Sequence, residues 1–275
     1  MLATNYHAPE ARHLKDRGNS DSSVLVFVHG LLGDGQDWSN IVDELSEYHR
    51  ITVDLPGHGK SQGMRCDSFD DASEQIKKAV EFQLQSAGLS QQLPMVLIGY
   101  SLGARLLMYS LTQCFYANWN VVQAFIEGGN FGLKEDEAKQ QRLVNDQHWT
   151  GRFNNEEIRT VLADWYQQPV FASLTKEQRE NLVSTRASNK GEAVAAMLMA
   201  TSLGKQPYLL NRLQNINVPL HYICGEKDKK FFELAEQSKL SYSVVEGAGH
   251  NVHKEAPKLF VKLIRDQLGE TTPLS

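Results

Sequence analysis

The chain has 275 residues, of which 41% are hydrophobic and 22% charged, as in an ordinary globular protein. This length suits one medium α/β domain with an insertion, or at most two small domains. The formal net charge of -5 argues against a general nucleic-acid or anionic-membrane binder, because such proteins need a basic surface. We therefore expect no nucleic-acid partner.

Targeting and redox features are also informative. The first residues, MLATNYHAPEARHLKDRG, lack the charged-then-apolar layout of a signal peptide. No stretch approaches the roughly 20 apolar residues that a membrane span needs, so we expect no membrane insertion. Three cysteines, Cys66, Cys114 and Cys224, form neither a disulfide framework nor a zinc motif. These features predict a cytoplasmic protein with reduced thiols.

Apolar runs and helical patterns alternate along the chain. The apolar runs predict buried strands over Ser23–His29, Ile51–Asp54, Met95–Tyr100, Val121–Glu127, Leu220–Cys224 and Tyr242–Glu246. The patterns between them predict helices over Trp38–Tyr48, Phe69–Ser86, Leu102–Cys114, Lys230–Lys239 and Lys254–Leu268. This alternation predicts an α/β fold with a mostly parallel central sheet flanked by helices. The residues before about Ser20 leave open whether one or two antiparallel edge strands are added.

One long segment, residues 131–207, breaks this alternation. It is polar, its periodicity is helical, and it contains no strand pattern. We therefore predict a helical cap insertion over residues 131–207. The core domain would comprise residues 1–130 and 208–275.

The motif Gly99-Tyr100-Ser101-Leu102-Gly103 stands between a predicted strand and a predicted helix. Its small glycines allow a sharp turn that exposes the hydroxyl of Ser101 at the sheet edge, near a helix N-terminus. This context favours a catalytic nucleophile. The alternative is a plain glycine-rich turn.

Candidates for the acid and the base follow later strands. Asp228 comes after Leu220–Cys224, and His250 comes after Tyr242–Glu246, so both side chains are expected at the edge that carries Ser101. Glu226 is the rival acid. For the other histidines nearby, His221 and His253, we favour structural roles.

The motif His29-Gly30-Leu31-Leu32-Gly33 follows the first predicted strand. The backbone N–H groups of Leu31 and Leu102 are candidates for an oxyanion hole, an arrangement that stabilises developing negative charge. We expect His29, together with His58, to shape loops through local hydrogen bonds rather than to act in catalysis.

Several motifs resemble known proteins. HGLLG, DLPGHGKS, GYSLGAR and GAGHNVHKE resemble the α/β-hydrolase superfamily over nearly the whole chain. GYSLGAR, EGGNFGL, ADWYQQPVFASL and RASNKGEAVAAMLMATSL resemble, more narrowly, the 2-succinyl-6-hydroxy-2,4-cyclohexadiene-1-carboxylate synthases of menaquinone biosynthesis. Ala104 stands where a second glycine is common in the family, a small departure.

This resemblance implies a lyase. Its substrate would be 2-succinyl-5-enolpyruvyl-6-hydroxy-3-cyclohexene-1-carboxylate, from which a ring proton is removed and pyruvate leaves. The serine, with its His and Asp partners, would act as the base and form no acyl intermediate. The resemblance implies no metal or organic cofactor.

A substrate with several carboxylates calls for fixed cations, and arginine binds carboxylate in a planar fork. Arg105 lies one helical turn after Ser101, on the same face. The resemblance assigns Arg142 and Arg186 to substrate binding as well. For each arginine the alternative is a solvated helix face.

Two aromatic residues complete the predicted site. Tyr100 and Trp165 are expected to line the pocket, although core packing inside the cap is the alternative for Trp165.

The expected partner is a small-molecule polycarboxylate, and a monomer is favoured over a homodimer. The rival functions are a carboxylesterase, thioesterase or C–C bond hydrolase with the same triad, and a non-catalytic binding module.

Overall fold

The computed structural model describes residues 1–10 and 23–269. Its described part contains one sheet with the strands β1 (Thr4–His7), β2 (Val24–Val28), β3 (His49–Val53), β4 (Met95–Tyr100), β5 (Val121–Glu127), β6 (Leu220–Gly225) and β7 (Ser241–Val245). The spatial order is β1-β3-β2-β4-β5-β6-β7. β1 runs antiparallel to β3, with Thr4 opposite Val53, and all other neighbours are parallel.

Helices connect these strands. The α-helices of the described ranges are α1 (Ser39–Glu44), α2 (Phe69–Ser86), α3 (Leu102–Thr112), α4 (Asp136–Asn155), α5 (Ile158–Trp165), α6 (Lys176–Arg186), α7 (Gly191–Ala200), α8 (Leu210–Leu213), α9 (Lys229–Ser238), α10 (Val252–Glu255) and α11 (Pro257–Gln267). Short 3₁₀ helices span Gly35–Trp38, Gly59–Ser61 and Pro169–Phe171. None of the helices in these ranges is long and apolar enough to cross a membrane.

The core lies on both faces of the sheet, because successive side chains of a strand point to opposite faces. In β2, Val24, Val26 and Val28 pack with residues of α2, α3 and α9 in one buried cluster. Leu25 and Phe27 pack in a second cluster with residues of α1 and α11. Helices therefore cover both faces, and this explains why the strands are continuous apolar runs. The predicted fold class is confirmed.

The N-terminal edge has one strand in the part of the chain that the structure describes. β1 pairs with β3 at this edge, which agrees with an antiparallel edge strand. A second edge strand would fall in residues 11–22, which lie outside the described residues.

Two predicted helices differ from the observed ones. The helix predicted over Trp38–Tyr48 is wrong in length, because α1 ends where Leu45 adopts φ −93° and ψ 40° and the chain turns into β3. The helix predicted over Lys254–Leu268 is divided into α10 and α11. The break is at Ala256, with φ −139° and ψ 58°, because the residue before a proline is disfavoured in the helical region and Pro257 follows.

Between β5 and β6 the described chain is helical, with α4 to α8 and one 3₁₀ turn, and contains no strand. Part of this segment packs in an apolar cluster of its own, whose members include Trp149, Phe153, Leu162 and Val194. Leu32, from the turn after β2, joins that cluster and connects the segment to the sheet. The division into core and cap at residues 131–207 stays a prediction.

Candidate active site

Ser101 lies in the turn between β4 and α3, with φ 49° and ψ −105°. A non-glycine residue in this region is strained and persists only where its surroundings hold it. The two glycines of the motif allow the turn. A Cβ on Gly99 would lie 2.8 Å from Cα of Ala104, and a Cβ on Gly103 would collide with the carbonyl oxygen of Val28. The chain thus forms the sharp strand-to-helix turn that the motif predicts.

Asp228 and His250 are joined by a short hydrogen bond. His250 Nδ1 lies 2.6 Å from Asp228 Oδ2, and both residues are buried. When Nδ1–H donates to the carboxylate, Nε2 keeps its lone pair and can accept a proton. Glu226, the rival acid, accepts a hydrogen bond from Gly247 N–H instead, at 2.9 Å. The structure therefore brings Asp228 to the imidazole.

The His250 ring is held by close packing. Gly128, at the end of β5, has φ 58°, and a Cβ there would lie 2.8 Å from Cε1 of the imidazole. The ring centroids of Phe231 and Tyr100 lie 4.7 Å and 5.3 Å from that of His250. The imidazole therefore has little freedom to turn away from Asp228.

A cavity of about 290 Å³ lies at the carboxyl ends of the strands. Residues from the sequence prediction that line it are Ser101, His250, Leu31, Leu102, Arg105, Arg142, Tyr100 and Trp165. Asp228 lies behind His250, outside the cavity lining. Such a volume is close to the lower end of the range for small-molecule sites, about 300 Å³.

The two residues predicted to supply the oxyanion donors border the same cavity. Leu31 and Leu102 both line the cavity. Leu102 is the first residue of α3, and the first N–H groups of a helix have no carbonyl partner within it. A Cβ on Gly30, next to Leu31, would lie 2.8 Å from Tyr100 Cδ1 and 3.4 Å from Ser101 Cβ. The turn after β2 therefore passes directly beside the serine.

His29 and His58 hold the loops that border this turn. His29 Nε2 accepts the Leu55 N–H at 2.9 Å, and His58 Nε2 accepts the Leu32 N–H at 3.0 Å. Burial lowers the pKa of both imidazoles, that of His58 to about 3, so both are neutral acceptors at neutral pH. The two histidines cross-link the loops after β2 and β3, as expected for structural residues.

Arg105 is a buried cation on the cavity wall. Its Nε donates to Gln206 Oε1 and its Nη2 donates to the Thr201 carbonyl oxygen, both at 2.6 Å. Both acceptors are uncharged, and within the described ranges Arg105 forms no salt bridge. Burial and the nearby Arg142 lower its pKa to about 9, which leaves the guanidinium charged at neutral pH.

Arg142 reaches the cavity from α4. Its Nε donates to Asp146 Oδ1 at 2.8 Å, and the other oxygen of that buried carboxylate accepts from Ser202 Oγ at 2.7 Å. Asp146 was not anticipated from the sequence, although the spacing of four residues from Arg142 is a signal for a helical ion pair. Asp146 positions Arg142 and offsets only part of the positive charge here.

Arg186 is not brought to the cavity lining. Its Nη2 lies 2.5 Å and 2.6 Å from the two carboxylate oxygens of Asp37, which also pairs with Lys254 at 3.1 Å. These cations hold the pKa of Asp37 well below its usual range. Tyr166 also contacts Arg186 through its hydroxyl. In this structure Arg186 thus joins the helical segment to the turn after β2.

Both predicted aromatic residues line the cavity. Burial raises the pKa of Tyr100 well above its usual range, so its hydroxyl stays protonated. Trp165 packs edge-on against Trp149, with ring centroids 4.9 Å apart, and also contacts Phe153. Trp165 therefore packs inside the helical segment and also lines the cavity wall.

Lys230 is a cavity residue that was not anticipated from the sequence. It stands in the first turn of α9, two residues after Asp228, and this proximity was the available signal. The residue as a whole is exposed, but partial burial of its amine and the nearby Arg142 lower its pKa. The described residues include no cluster of three His, Cys, Asp or Glu side chains placed to hold a metal ion.

Comparison with known proteins identifies the family of this chain. The family model of the alpha/beta hydrolase fold matches residues 23–257. The 2-succinyl-6-hydroxy-2,4-cyclohexadiene-1-carboxylate synthase of Yersinia enterocolitica is 45% identical over 248 residues, covering 90% of this chain and 87% of that protein. The synthase of the same name from Yersinia pestis is 44% identical over 250 residues, with 91% and 89% covered.

Solved structures share the fold of this chain. MenH from S. aureus superposes with a TM-score of 0.83 at 25% identity and covers 98% of both chains. A thermophilic esterase from Thermogutta terrifontis, with a TM-score of 0.74 at 20% identity over 98% of this chain and 93% of that chain, shares the fold. The chain belongs to the α/β-hydrolase fold family and, within it, to the 2-succinyl-6-hydroxy-2,4-cyclohexadiene-1-carboxylate synthases.

Proposed function

We propose that this chain is a lyase of menaquinone biosynthesis. It eliminates pyruvate from 2-succinyl-5-enolpyruvyl-6-hydroxy-3-cyclohexene-1-carboxylate and releases 2-succinyl-6-hydroxy-2,4-cyclohexadiene-1-carboxylate. The membership in the synthase family supports this reaction. The structural observation that carries it is the charge of the cavity that contains Ser101.

That cavity is suited to a polycarboxylate. Arg105, Arg142 and Lys230 line it, and Asp146 is the acidic residue in the lining. The hydrogen-bond acceptors of the buried Arg105 guanidinium are neutral, so its charge is compensated only in part, by the nearby Asp146, which is costly unless an anion binds. By its name the substrate carries carboxylates on the ring, on the succinyl group and on the enolpyruvyl group. Such groups would supply the missing negative charge.

The reaction begins with proton transfer. Asp228 holds Nδ1–H of His250, so that Nε2 can take the proton of the Ser101 hydroxyl. The Ser101 oxygen then removes the proton from the ring carbon that bears the succinyl carbonyl. In the described structure Ser101 Oγ has no hydrogen-bond partner, and catalytic hydrogen bonds are often formed only with substrate bound.

The electron pair then moves through the ring. It forms the new double bond at the deprotonated carbon, shifts the existing ring double bond, and breaks the carbon–oxygen bond to the enolpyruvyl group. The departing enolate takes up a proton and becomes pyruvate. While charge develops on the succinyl carbonyl oxygen, the N–H groups of Leu31 and Leu102 donate to it.

The cations contribute mainly by positioning the substrate. Arg105 and Arg142 are fixed by their own hydrogen bonds, so a bound carboxylate meets groups that are already oriented. Arg186 lies outside the cavity lining and pairs with Asp37, so its role in substrate binding stays a prediction. Residues 131–207, which contribute Arg142 and Trp165 to the lining, act as a cap over the core.

One experiment separates this lyase from a hydrolase with the same triad. Pyruvate release from the enolpyruvyl substrate is measured beside hydrolysis of a p-nitrophenyl ester, with the wild type and with Ser101→Ala. We expect Ser101-dependent pyruvate release and slow ester hydrolysis. Fast ester hydrolysis without pyruvate release would show a carboxylesterase or related hydrolase instead. Neither activity would favour a non-catalytic binding module.

A further inference from the structure

A second acid–imidazole pair lies close to the proposed catalytic one. Glu127 ends β5 and His253 stands in α10, and both are at most 2% exposed. His253 Nδ1 lies 2.9 Å and 2.7 Å from the two carboxylate oxygens of Glu127, and the backbone N–H of His253 donates to Oε1 at 3.1 Å. Since a buried carboxylate is costly without such donors, this contact fixes the position of α10 relative to β5.

The backbone at Glu127 and Gly128 also contacts two of the three proposed catalytic residues, Ser101 and His250. Its carbonyl oxygen accepts the N–H of Ser101 at 2.8 Å. The next residue, Gly128, packs against the imidazole of His250. Because Ser101 has a strained backbone, its conformation depends on contacts of this kind. The end of β5 therefore contacts both the serine and the histidine, and the Glu127 side chain is bonded to His253 in the segment that follows His250.

The His253 ring extends this connection through aromatic contacts. It stacks on Trp38 with ring centroids 4.2 Å apart, and it meets Tyr100 edge-on at 4.9 Å. Tyr100 lies in turn 5.3 Å from the ring of His250. Neither Glu127 nor His253 lines the cavity. The pair can thus affect the reaction only through the residues that it holds.

From these contacts we infer that Glu127 and His253 are a positioning pair, which sets the distance and orientation between Ser101 and His250. The inference rests on the proposed function, because it takes Ser101 and His250 to be catalytic groups. It predicts that breaking the pair lowers the rate of the chemical step and leaves substrate binding unchanged. A purely structural role predicts a loss of stability alone.

Three variants test the pair. His253→Leu removes the imidazole donor. His253→Asn keeps an N–H donor close to the place of Nδ1. Glu127→Gln keeps the shape of the glutamate and removes its charge. The matched control is His221→Asn, because His221 is equally buried and its imidazole hydrogen-bonds to the hydroxyls of Ser241 and Ser243, away from the cavity lining.

Steady-state kinetics of pyruvate release are measured on folded protein, together with the melting temperature. We expect His253→Leu to lower kcat by about 10- to 100-fold, as for a small misplacement of reacting groups, with KM within about twofold of the wild type. His253→Asn recovers most of the kcat, and Glu127→Gln is intermediate. The control loses stability and keeps its kcat. If His253→Leu does not fold, Glu127→Gln and His253→Asn carry the comparison.

A second readout does not depend on the substrate. The proton shared by His250 Nδ1 and Asp228 should give a low-field proton NMR resonance, whose position and exchange report on that short hydrogen bond. We expect the resonance to move or broaden in His253→Leu and Glu127→Gln but not in His221→Asn. Wild-type kcat and an unchanged resonance in the folded variants would overturn the inference, as would a change in KM alone. A wild type without pyruvate release would instead refute the proposed function, and the resonance would still test the pair.

Discussion

Arg186 and Asp37 are 149 residues apart in the chain, yet Nη2 of the arginine lies 2.5 Å from the carboxylate of the aspartate. Asp37 belongs to the 3₁₀ turn beside the proposed oxyanion loop, and Arg186 ends α6. The contact therefore ties the helical segment to the turn that borders the active site. The two side chains are about one-tenth exposed, so solvent screens the attraction between their charges only weakly.

The first prediction concerns this ion pair. Asp37→Asn leaves Arg186 buried without its carboxylate, and we expect the free energy of unfolding to fall by about 3 kcal/mol in urea denaturation. Because the folded-state pKa of Asp37 is depressed, its stabilisation is present above pH ~4 and is lost as the pH falls below that value. In Asp37→Asn this loss of stability at acidic pH should be absent. Asp43→Asn, at an exposed position of α1, is the control, and an equal effect there would contradict the assignment.

The second prediction concerns the proposed catalytic residues. Ser101→Ala, His250→Ala and Asp228→Asn should each lower kcat for pyruvate release by about 10²- to 10⁴-fold, because each removes part of one proton-transfer unit. Combining two of them should cost little more than the larger single loss. The exposed His148→Ala is the control and should keep full activity. Near-wild-type turnover by Ser101→Ala would refute the mechanism.

The third prediction compares two arginines of the same helix. Arg142→Ala removes a cation from the cavity wall, and we expect KM to rise about 10-fold, the loss of roughly one charge-assisted hydrogen bond. Arg152→Ala removes an arginine that pairs with Glu156 and Asp164, outside the cavity lining, and should leave KM unchanged. Equal kinetic effects of the two substitutions would show that helix stability, and not substrate binding, is responsible.

The fourth prediction separates two neighbouring lysines. Lys230 lines the cavity, whereas Lys229 is its exposed neighbour outside the lining. Lys230→Met should raise KM about threefold at low ionic strength, and the difference should shrink at high salt because a partly exposed charge is screened. Lys229→Met should follow the wild type at both salt concentrations. A salt-independent effect at Lys230 would argue for a packing role.

The fifth prediction uses the depressed pKa of His58, about 3 in the folded protein against 6.5 unfolded. Between these values the unfolded chain binds a proton that the folded chain does not, so stability falls as the pH decreases below 6.5. This contribution should amount to about 2 kcal/mol between pH 7 and pH 5, since one pKa unit corresponds to about 1.4 kcal/mol. In urea denaturation His58→Gln should show a correspondingly smaller loss over that interval, while exposed His148→Gln should match the wild type. An unchanged pH dependence in His58→Gln would show that this imidazole is not held neutral.

Prediction from the sequence was strongest where local chemistry decides the backbone. The turn at Ser101 needs glycine at positions 99 and 103, and the motif shows both. The division between α10 and α11 was equally local, since Pro257 disfavours a helical Ala256, but the apolar periodicity across it concealed the break. The early end of α1 had no comparable signal, because it depends on how the chain turns into β3.

The amino-acid pattern alone determined the alternation of buried strands and helices and the chain order of serine, acid and histidine, because periodicity and turn glycines are properties of neighbouring residues. Only the folded chain decided which charges meet. It placed Arg105 against neutral acceptors, paired Arg186 with Asp37 and joined Glu127 to His253. These partners are about 100 or more residues apart, and the energy of a charge depends on its burial and neighbours, which exist only after the sheet and helices have packed.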